Sequence, residues 1–430
     1  MLRKTKGILV AMFGSVLMLA GCSFSSGDSD GATGGEKVTV DVFQFKVEFK
    51  EQFDKLVETY EEENPNVDIN VKTVGGGNDY GAALKSAFSS GEAPDIFNVG
   101  GPADVEQYKD YVVDLSDTKS AEAALDGTLS SVTVDGDVYG LPYNQEGYGI
   151  IYNKEVFKEA GIEPTEIKTM DDLEEATKTL DNKKKELGIE APFALPGKET
   201  WVMGIHLANA YLADEFDHDV MKAYESETVA FEMGDQMKRF LDLQNEYSVQ
   251  PTLSLDYSQQ VEELFSLGQV AMIQQGNWVY NTIYEMDTDL AENNIGLLPI
   301  PVKGYEGSIP VGVPMYWSLN GDSSEEEIQA SKDFLDWLYT SDQGKEFVME
   351  EFKFIPAYEG FDSSKIADPL SQEIYKYAEE GNTLGWVFMG APTSWTTNKL
   401  GVYMQEYIAG DITWEELEQK ATKSWEEPRK

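Results

Sequence analysis

From residue 37 onward the hydrophobic positions follow two alternating rhythms. In "KVTVDVFQF" (37–45), Val38, Val40 and Val42 share one face of a period-two pattern, which predicts a strand. "EFKEQFDKLVETYEEENP" changes to helical spacing through Phe49, Phe53, Leu56, Val57 and Tyr60, and Asn64-Pro65 stops it. "NVDINVKTV" alternates again, "YGAALKSAFSSGEAP" reads as a second helix with a glycine stop, and "DIFNVG" as a buried third strand. Strand, helix, strand, helix, strand with short connections predicts an α/β domain with a largely parallel sheet. Ligands of such sheets bind beyond the carboxyl ends of the strands, which makes residues 43–46 and 97–101 a candidate site.

The pattern then restarts. "VTVDGDVYGLPY" (132–143) predicts a hairpin around Asp135-Gly136. A second α/β pattern begins near "GIIYNKEVFKEAGI" (149–162), with helices expected around 171–187, 201–212 and 231–247. In "VEELFSLGQVAMIQQGNW" a helix carrying Val261, Leu264 and Phe265 ends at Gly268, a strand follows, and Gly276-Asn277-Trp278 stands at its end. No repeat of fixed period is visible.

The amino-terminal pattern differs. Arg3, Lys4 and Lys6 precede an uncharged apolar run from Ile8 to Ala20, too short to span a bilayer comfortably and suited to a signal-peptide core. "SFSSGDSDGATGGE" after Cys22 reads as a flexible Gly/Ser linker. Leu19-Ala20-Gly21-Cys22 resembles the lipobox of bacterial lipoproteins, in which the cysteine is lipidated and becomes the mature amino terminus. The expectation is a signal peptide at 1–21, a linker at 22–36, and a protein held outside the cell membrane by lipid on Cys22.

Composition narrows the function. The 430 residues exceed the usual size of one core, so two lobes are expected, and 41% hydrophobic with 12% aromatic residues can fill them. The net charge of −45 disfavours nucleic acid and anionic lipid as partners and suits a solvated acidic coat. One cysteine, His206 and His218 leave little for a zinc or iron site. "SLNGDSSEEE" lacks the ligand spacing of an EF-hand. No metal or cofactor is expected.

Several segments in order, "APDIFNVGG", "VYGLPY", "IIYNKEVFKEAGI", "LFSLGQVAMIQQGNWVY" and "ASKDFLDWLYTSDQGKEF", resemble the extracellular solute-binding proteins of carbohydrate ABC importers. The resemblance runs from about residue 37 to the carboxyl terminus. It implies a two-lobed α/β periplasmic-binding-protein fold of the type II, maltose-binding-protein-like kind, with a multi-strand hinge and an interlobe cleft. Lobe 1 would comprise 37–147 plus 314–352 and lobe 2 148–313 plus 353–430, with crossings near 147–150, 312–315 and 354–357. It further implies a monomeric, non-catalytic protein that delivers a small oligosaccharide to ABC importer permease subunits.

A sugar needs aromatic platforms for its C–H faces and fixed polar groups for its hydroxyls. The resemblance carries Trp278 over as a stacking platform and Trp201 as a lining aromatic of the second lobe. Gln44 and Lys46 match polar contact positions and Glu146 the hinge-side carboxylate, Asn98 is a candidate as the end of the third strand, and Tyr143 and Asn144 stand at the same mouth as Glu146. Trp386 and Trp395 stand where relatives carry further aromatics. His206 and Trp317 are expected in the core. "VGVPMYWSLN" departs from relatives that bind raffinose-type galactosides, which show Gly-Asp where this chain has Pro314-Met315; that removes a carboxylate and adds Met315 to the cleft wall. Two alternatives stay open on the residues: the same fold holding a peptide, polyamine or metal chelate, and a secreted glycosidase using paired carboxylates.

Overall fold

A computed structural model describes residues 37–75 and 80–429, and Lys37–Lys430 forms one compact unit. The expectations for residues 1–36, Cys22 among them, lie outside the described residues. The strands are β1 (Val38–Gln44), β2 (Val67–Thr73), β3 (Ile96–Val99), β4 (Thr133–Val134), β5 (Asp137–Val138), β6 (Leu141–Pro142) and β7 (Glu146–Asn153). They continue as β8 (Ala191–Phe193), β9 (Val270–Gly276), β10 (Ile295–Leu298), β11 (Ile309–Gly312), β12 (Tyr316–Leu319) and β13 (Thr383–Leu384).

The first sheet has the order β2-β1-β3-β12-β6. Its first three strands are parallel, with Val38 opposite Val67 and Val42 opposite Ile96, as the strand–helix rhythm requires. β12 enters from far along the chain and runs antiparallel to both β3 and β6. The helices Lys50–Glu63 and Tyr80–Ser90 connect the parallel strands. Asp135 (φ 54°) and Gly136 (φ 101°) turn the small β4–β5 hairpin, both with the positive φ of a tight hairpin turn.

The second sheet runs β13-β11-β7-β9-β8, with β10 added on β7. β7 is buried along its whole length, which is why its sequence reads as nearly continuous apolar positions rather than alternation. Helix Met170–Leu187 starts in a Thr169/Asp172 capping box and stops at left-handed Gly188. The helix expected from 231 begins only at Gly234, because Phe231 takes a left-handed φ of 55°. The segment expected as one helix over 201–212 is a π-helical stretch, Val202–Leu207, running into an α-turn, Ala208–Leu212. In "SLNGDSSEEE", Ser324 and Glu327 form the capping box of helix Glu325–Thr340.

Two hydrophobic cores fill the unit. One gathers Val40, Phe53, Phe97, Tyr143, Trp317, Leu335 and Phe354 around the first sheet. The other gathers Tyr148, Phe193, Tyr211, Phe240, Ile273, Trp395 and Trp425 around the second. Tyr143 belongs to the first and Tyr148 to the second, so the chain passes between them at 144–147. It returns between Ile309 and Val313. Ala357 and Tyr358 still pack in the first core, with Ile355 reaching the second, and Leu370 is fully in the second. The last passage therefore lies between Tyr358 and Leu370. These passages lie side by side: Gly147 pairs with Val311, Glu146 with Gly312, and Gln145 bridges Ile355.

Candidate functional site between the two sheets

At the carboxyl end of β1, Gln44 is fully buried and spends its amide locally. It donates to Thr73 Oγ1 at 2.7 Å and to the Lys46 carbonyl at 3.1 Å, and accepts from the Lys46 amide at 2.6 Å. This fixes the bend that turns Lys46 inward. Lys46, 2% exposed, donates from Nζ to Glu146 Oε1 and lies 3.7 Å from Glu48. The rings of Phe45, Phe49, Tyr143 and Phe354 surround the ammonium at 5.1 to 5.8 Å. Lys46 and Glu146 are thus brought together as a buried pair, and each occupies the other. Asn144 lies against them, its amide nitrogen 3.0 Å from the Gln145 carbonyl and 3.4 Å from Glu146 Oε1.

Glu48 is different. Burial pushes its carboxyl above the usual range, against the pull of Lys46, yet the side chain keeps 18% exposure. A carboxylate that is desolvated but still reachable faces an enclosed space.

At the end of β3, Asn98 is 1% exposed. Its backbone amide donates to Tyr80 Oη at 2.7 Å, and its Nδ2 reaches the Tyr316 carbonyl at 3.5 Å. Oδ1 of Asn98 and Oδ1 of Asn144 are buried with no partner among the described residues. The neighbours of both Nδ2 groups are acceptors, so the amide orientations are dictated and the free atoms are acceptors. Next to Asn98, Asp104 accepts from the Gly100 amide at 2.7 Å, and burial raises its carboxyl as well.

The second sheet meets this edge with rings. Trp278 follows β9 on the short turn Asn277–Val279, its Nε1 donating to Gln275 at 2.8 Å. His206 packs 4.8 Å from Trp278, stacks on Tyr148 at 4.5 Å and meets Trp201 edge-on at 5.2 Å. Trp386 lies 5.8 Å from Tyr148 and 5.4 Å from Phe388, while Trp201 leans on Tyr257 at 5.8 Å. Gly312 lies beneath the Trp386 ring, where a Cβ would stand 2.6 Å from it. Burial lowers His206 to about 3, so its imidazole is neutral at physiological pH. His206 Nδ1 and Trp386 Nε1 have no hydrogen-bond partner among the described residues. The sheet ends touch at one rim, where Met389 packs against Gly101 and contributes to both cores.

Of the residues singled out from sequence, Gln44, Lys46, Asn98, Tyr143, Asn144 and Glu146 come together on the first edge. Trp201, Trp278 and Trp386 come together on the second. Tyr143 is part of the first core, stacked on Trp317 at 4.4 Å. Half-buried Met315 offers its carbonyl to the Tyr143 amide at 3.0 Å. Trp395 does not join the ring cluster. It is 2% exposed, set 4.8 Å from Trp425, with Nε1 held by the Ala421 carbonyl and Ser424. Sequence reasoning missed Glu48, Tyr148, Tyr257 and Phe388, and placed His206 in the core without its aromatic neighbours. Tyr148 carried a signal, two positions after Glu146 on the same strand; the others come from turns and helices whose sequence says nothing of direction.

Two sheets joined by adjacent crossing segments, with a polar edge facing a ring-lined one, define a two-lobed binding protein. The model of the bacterial extracellular solute-binding protein family matches residues 46–345, and the chain belongs to that family. A chitin oligosaccharide binding protein of solved structure is 25% identical, with a TM-score of 0.77 over 91% of this chain and 99% of its own. A structure concerned with xylan utilization by the thermophilic bacterium Caldanaerobius polysaccharolyticus is 20% identical, with a TM-score of 0.74 over 90% and 100%. A Bacillus licheniformis sugar transporter in complex with stachyose is 21% identical, with a TM-score of 0.71 over 90% and 99%. No curated protein sequence matches the chain. Membership makes this an extracytoplasmic solute-binding protein and not an enzyme, with the fold the resemblance implied.

Proposed function

We propose that the protein captures a small oligosaccharide between its lobes and presents it to the permease of an ABC importer. The observation that carries this reading is the cluster of Tyr148, Trp201, His206, Trp278, Trp386 and Phe388 on one edge together with the buried, partnerless amide oxygens of Asn98 and Asn144 on the other. Rings suit the C–H faces of a sugar and the amide acceptors suit its hydroxyls. The similarity to a chitin oligosaccharide binding protein supports a glycan over a peptide or polyamine. Capture proceeds by population shift: a ligand touching both edges binds the closed arrangement better and draws the lobes together.

The lobe bounds read from the sequence remain part of the proposal, and the packing of Ala357 and Tyr358 supports moving the last bound beyond Tyr358. Lipid on Cys22 would tether the monomer to the cell membrane through the 22–36 linker. Cys22→Ala should release the protein into the soluble fraction with ligand binding intact, as fractionation and calorimetry would record. The central test is a thermal-shift screen with mono- to tetrasaccharides. A bound glycan raises the melting temperature with concentration, whereas silence across neutral glycans with a response to spermidine or peptides would overturn the sugar reading.

A further inference from the structure

The sugar-facing edge of the first lobe is short of positive charge. Among the described residues its cations are Lys46, which is 2% exposed and bonded to Glu146, and half-buried Lys353, which shares a cavity with Glu146 and Trp278 and lies over the Tyr280 and Tyr284 rings at 5.0 and 4.3 Å. Glu48 shares the Lys46 charge at 3.7 Å and is the member of that trio that solvent still reaches. A ligand entering the cleft therefore meets Glu48 and not Lys46. Half-buried Asp104 adds another carboxylate on this edge, and its hydrogen bond goes to a backbone amide rather than to a cation. Across the cleft, Glu199 holds Trp201 Nε1 and the Tyr257 amide, and exposed Lys198 is paired with Asp256. Burial, and then the charges of Glu48, Glu262 and Glu146, push the Tyr257 phenol well above its usual range. The whole chain has arginine only at Arg3, Arg239 and Arg429. Arg239 is engaged with Asp171 and Glu174. The fork that recognises sugar carboxylates or sulfates is therefore missing from this edge.

The second, independent observation is the pair of orphaned acceptors, Asn98 Oδ1 and Asn144 Oδ1, in side chains that are each 1% exposed. With the carboxylates they form a wall that accepts hydrogen bonds and offers almost none. We propose, building on the sugar-binding reading, that the glycan unit seated between Glu48 and Tyr257 carries a free amino group, and that Glu48 selects it over hydroxyl and carboxyl counterparts. An ammonium brings donors for the amide oxygens and a charge for Glu48, and it lies well against the rings opposite. A uronate would bring a second anion against Glu48, the carboxylate that solvent reaches, with Lys46 shielded behind it.

The experiment starts from the tightest neutral oligosaccharide found by thermal shift. Calorimetry at pH 7 then compares it with its 2-amino and 6-amino deoxy analogues and its uronate, on the wild type, Glu48→Gln and Glu48→Asp. One amino analogue should bind about tenfold tighter than the parent and the uronate about tenfold weaker, a 1.4 kcal/mol step each way. Glu48→Gln should bring both ratios close to one, and Glu48→Asp should keep them. Ratios taken within one variant are insensitive to any general loss of stability. Amino analogues no tighter than the parent, or a ratio unchanged in Glu48→Gln, would overturn the selection by Glu48 and leave the sugar reading standing. A protein that binds spermidine and no glycan would remove both.

Discussion

The two walls of the cleft are built on opposite principles. The first lobe presents a polar edge, where Gln44 is tied to Lys46, Lys46 and Asn144 to Glu146, and Asn98 to the Tyr316 carbonyl. The second presents rings packed mainly on other rings, drawn from β7, the turn after β9 and stretches near residues 201, 257 and 386, with Trp278 and Trp201 also donating to Gln275 and Glu199. Polar groups are directional, and each must be satisfied or aimed at a ligand, so that wall tolerates little change. Stacked rings are held by shape and area, so their wall can lose a member by degrees. The comparison suggests a division of labour, with the first wall fixing hydroxyl and charge pattern and the second supplying contact area.

That contrast can be broken in order of expected effect. Removing one member of the buried ion pair, by Lys46→Met, leaves Glu146 without its cation, and Glu146→Gln leaves Lys46 only the more distant Glu48 at 3.7 Å. It should cost about 3–5 kcal/mol in urea unfolding. The double replacement by apolar residues should recover most of this, and a loss below about 1 kcal/mol in the single variants would mean the pair is not shielded as described.

His206 probes the ring wall. Its pKa is depressed by burial to about 3, below the ordinary value of 6.5. The unfolded chain therefore takes up a proton below pH 6.5 that the folded protein refuses until about pH 3, so stability is lost as the pH falls through that window. Between pH 7 and 5 this amounts to about 2 kcal/mol. His206→Phe should remove that acid sensitivity. Asp368, raised to about 6 by burial, titrates with the opposite sign, so the measurement is the difference between wild type and variant at each pH. Parallel pH profiles would show the imidazole to be hydrated.

Trp278→Ala tests the graded loss expected of rings: ligand affinity should fall several-fold or more, from about 0.5–1.5 kcal/mol of stacking plus lost area. Smallest in stability is Asn98→Ala, since its Oδ1 has no partner to lose. Unfolding should change by less than about 1 kcal/mol while sugar affinity drops, and the reverse pattern would make Asn98 a structural residue.

Much of this architecture was legible in the chain itself. Alternation located β1, β2 and β3, helical spacing located the helices between them, and Asp135-Gly136 marked its hairpin, because these signals are local and follow from backbone geometry. Strand ends were legible too, which is how Asn98 and Trp278 became candidates. The sequence determined a secreted-type, acidic, two-part α/β protein with aromatics near strand ends. Only the tertiary structure decided which side chains share a space. It paired Lys46 with Glu146 across 100 residues of chain, left Glu48 the more exposed carboxylate beside that pair, drew His206 among the rings and sent Trp395 into the core beside Trp425. The physical reason is that periodicity reports which face of an element is buried, whereas contacts across a cleft depend on how distant elements are packed, and that information is spread over the whole chain.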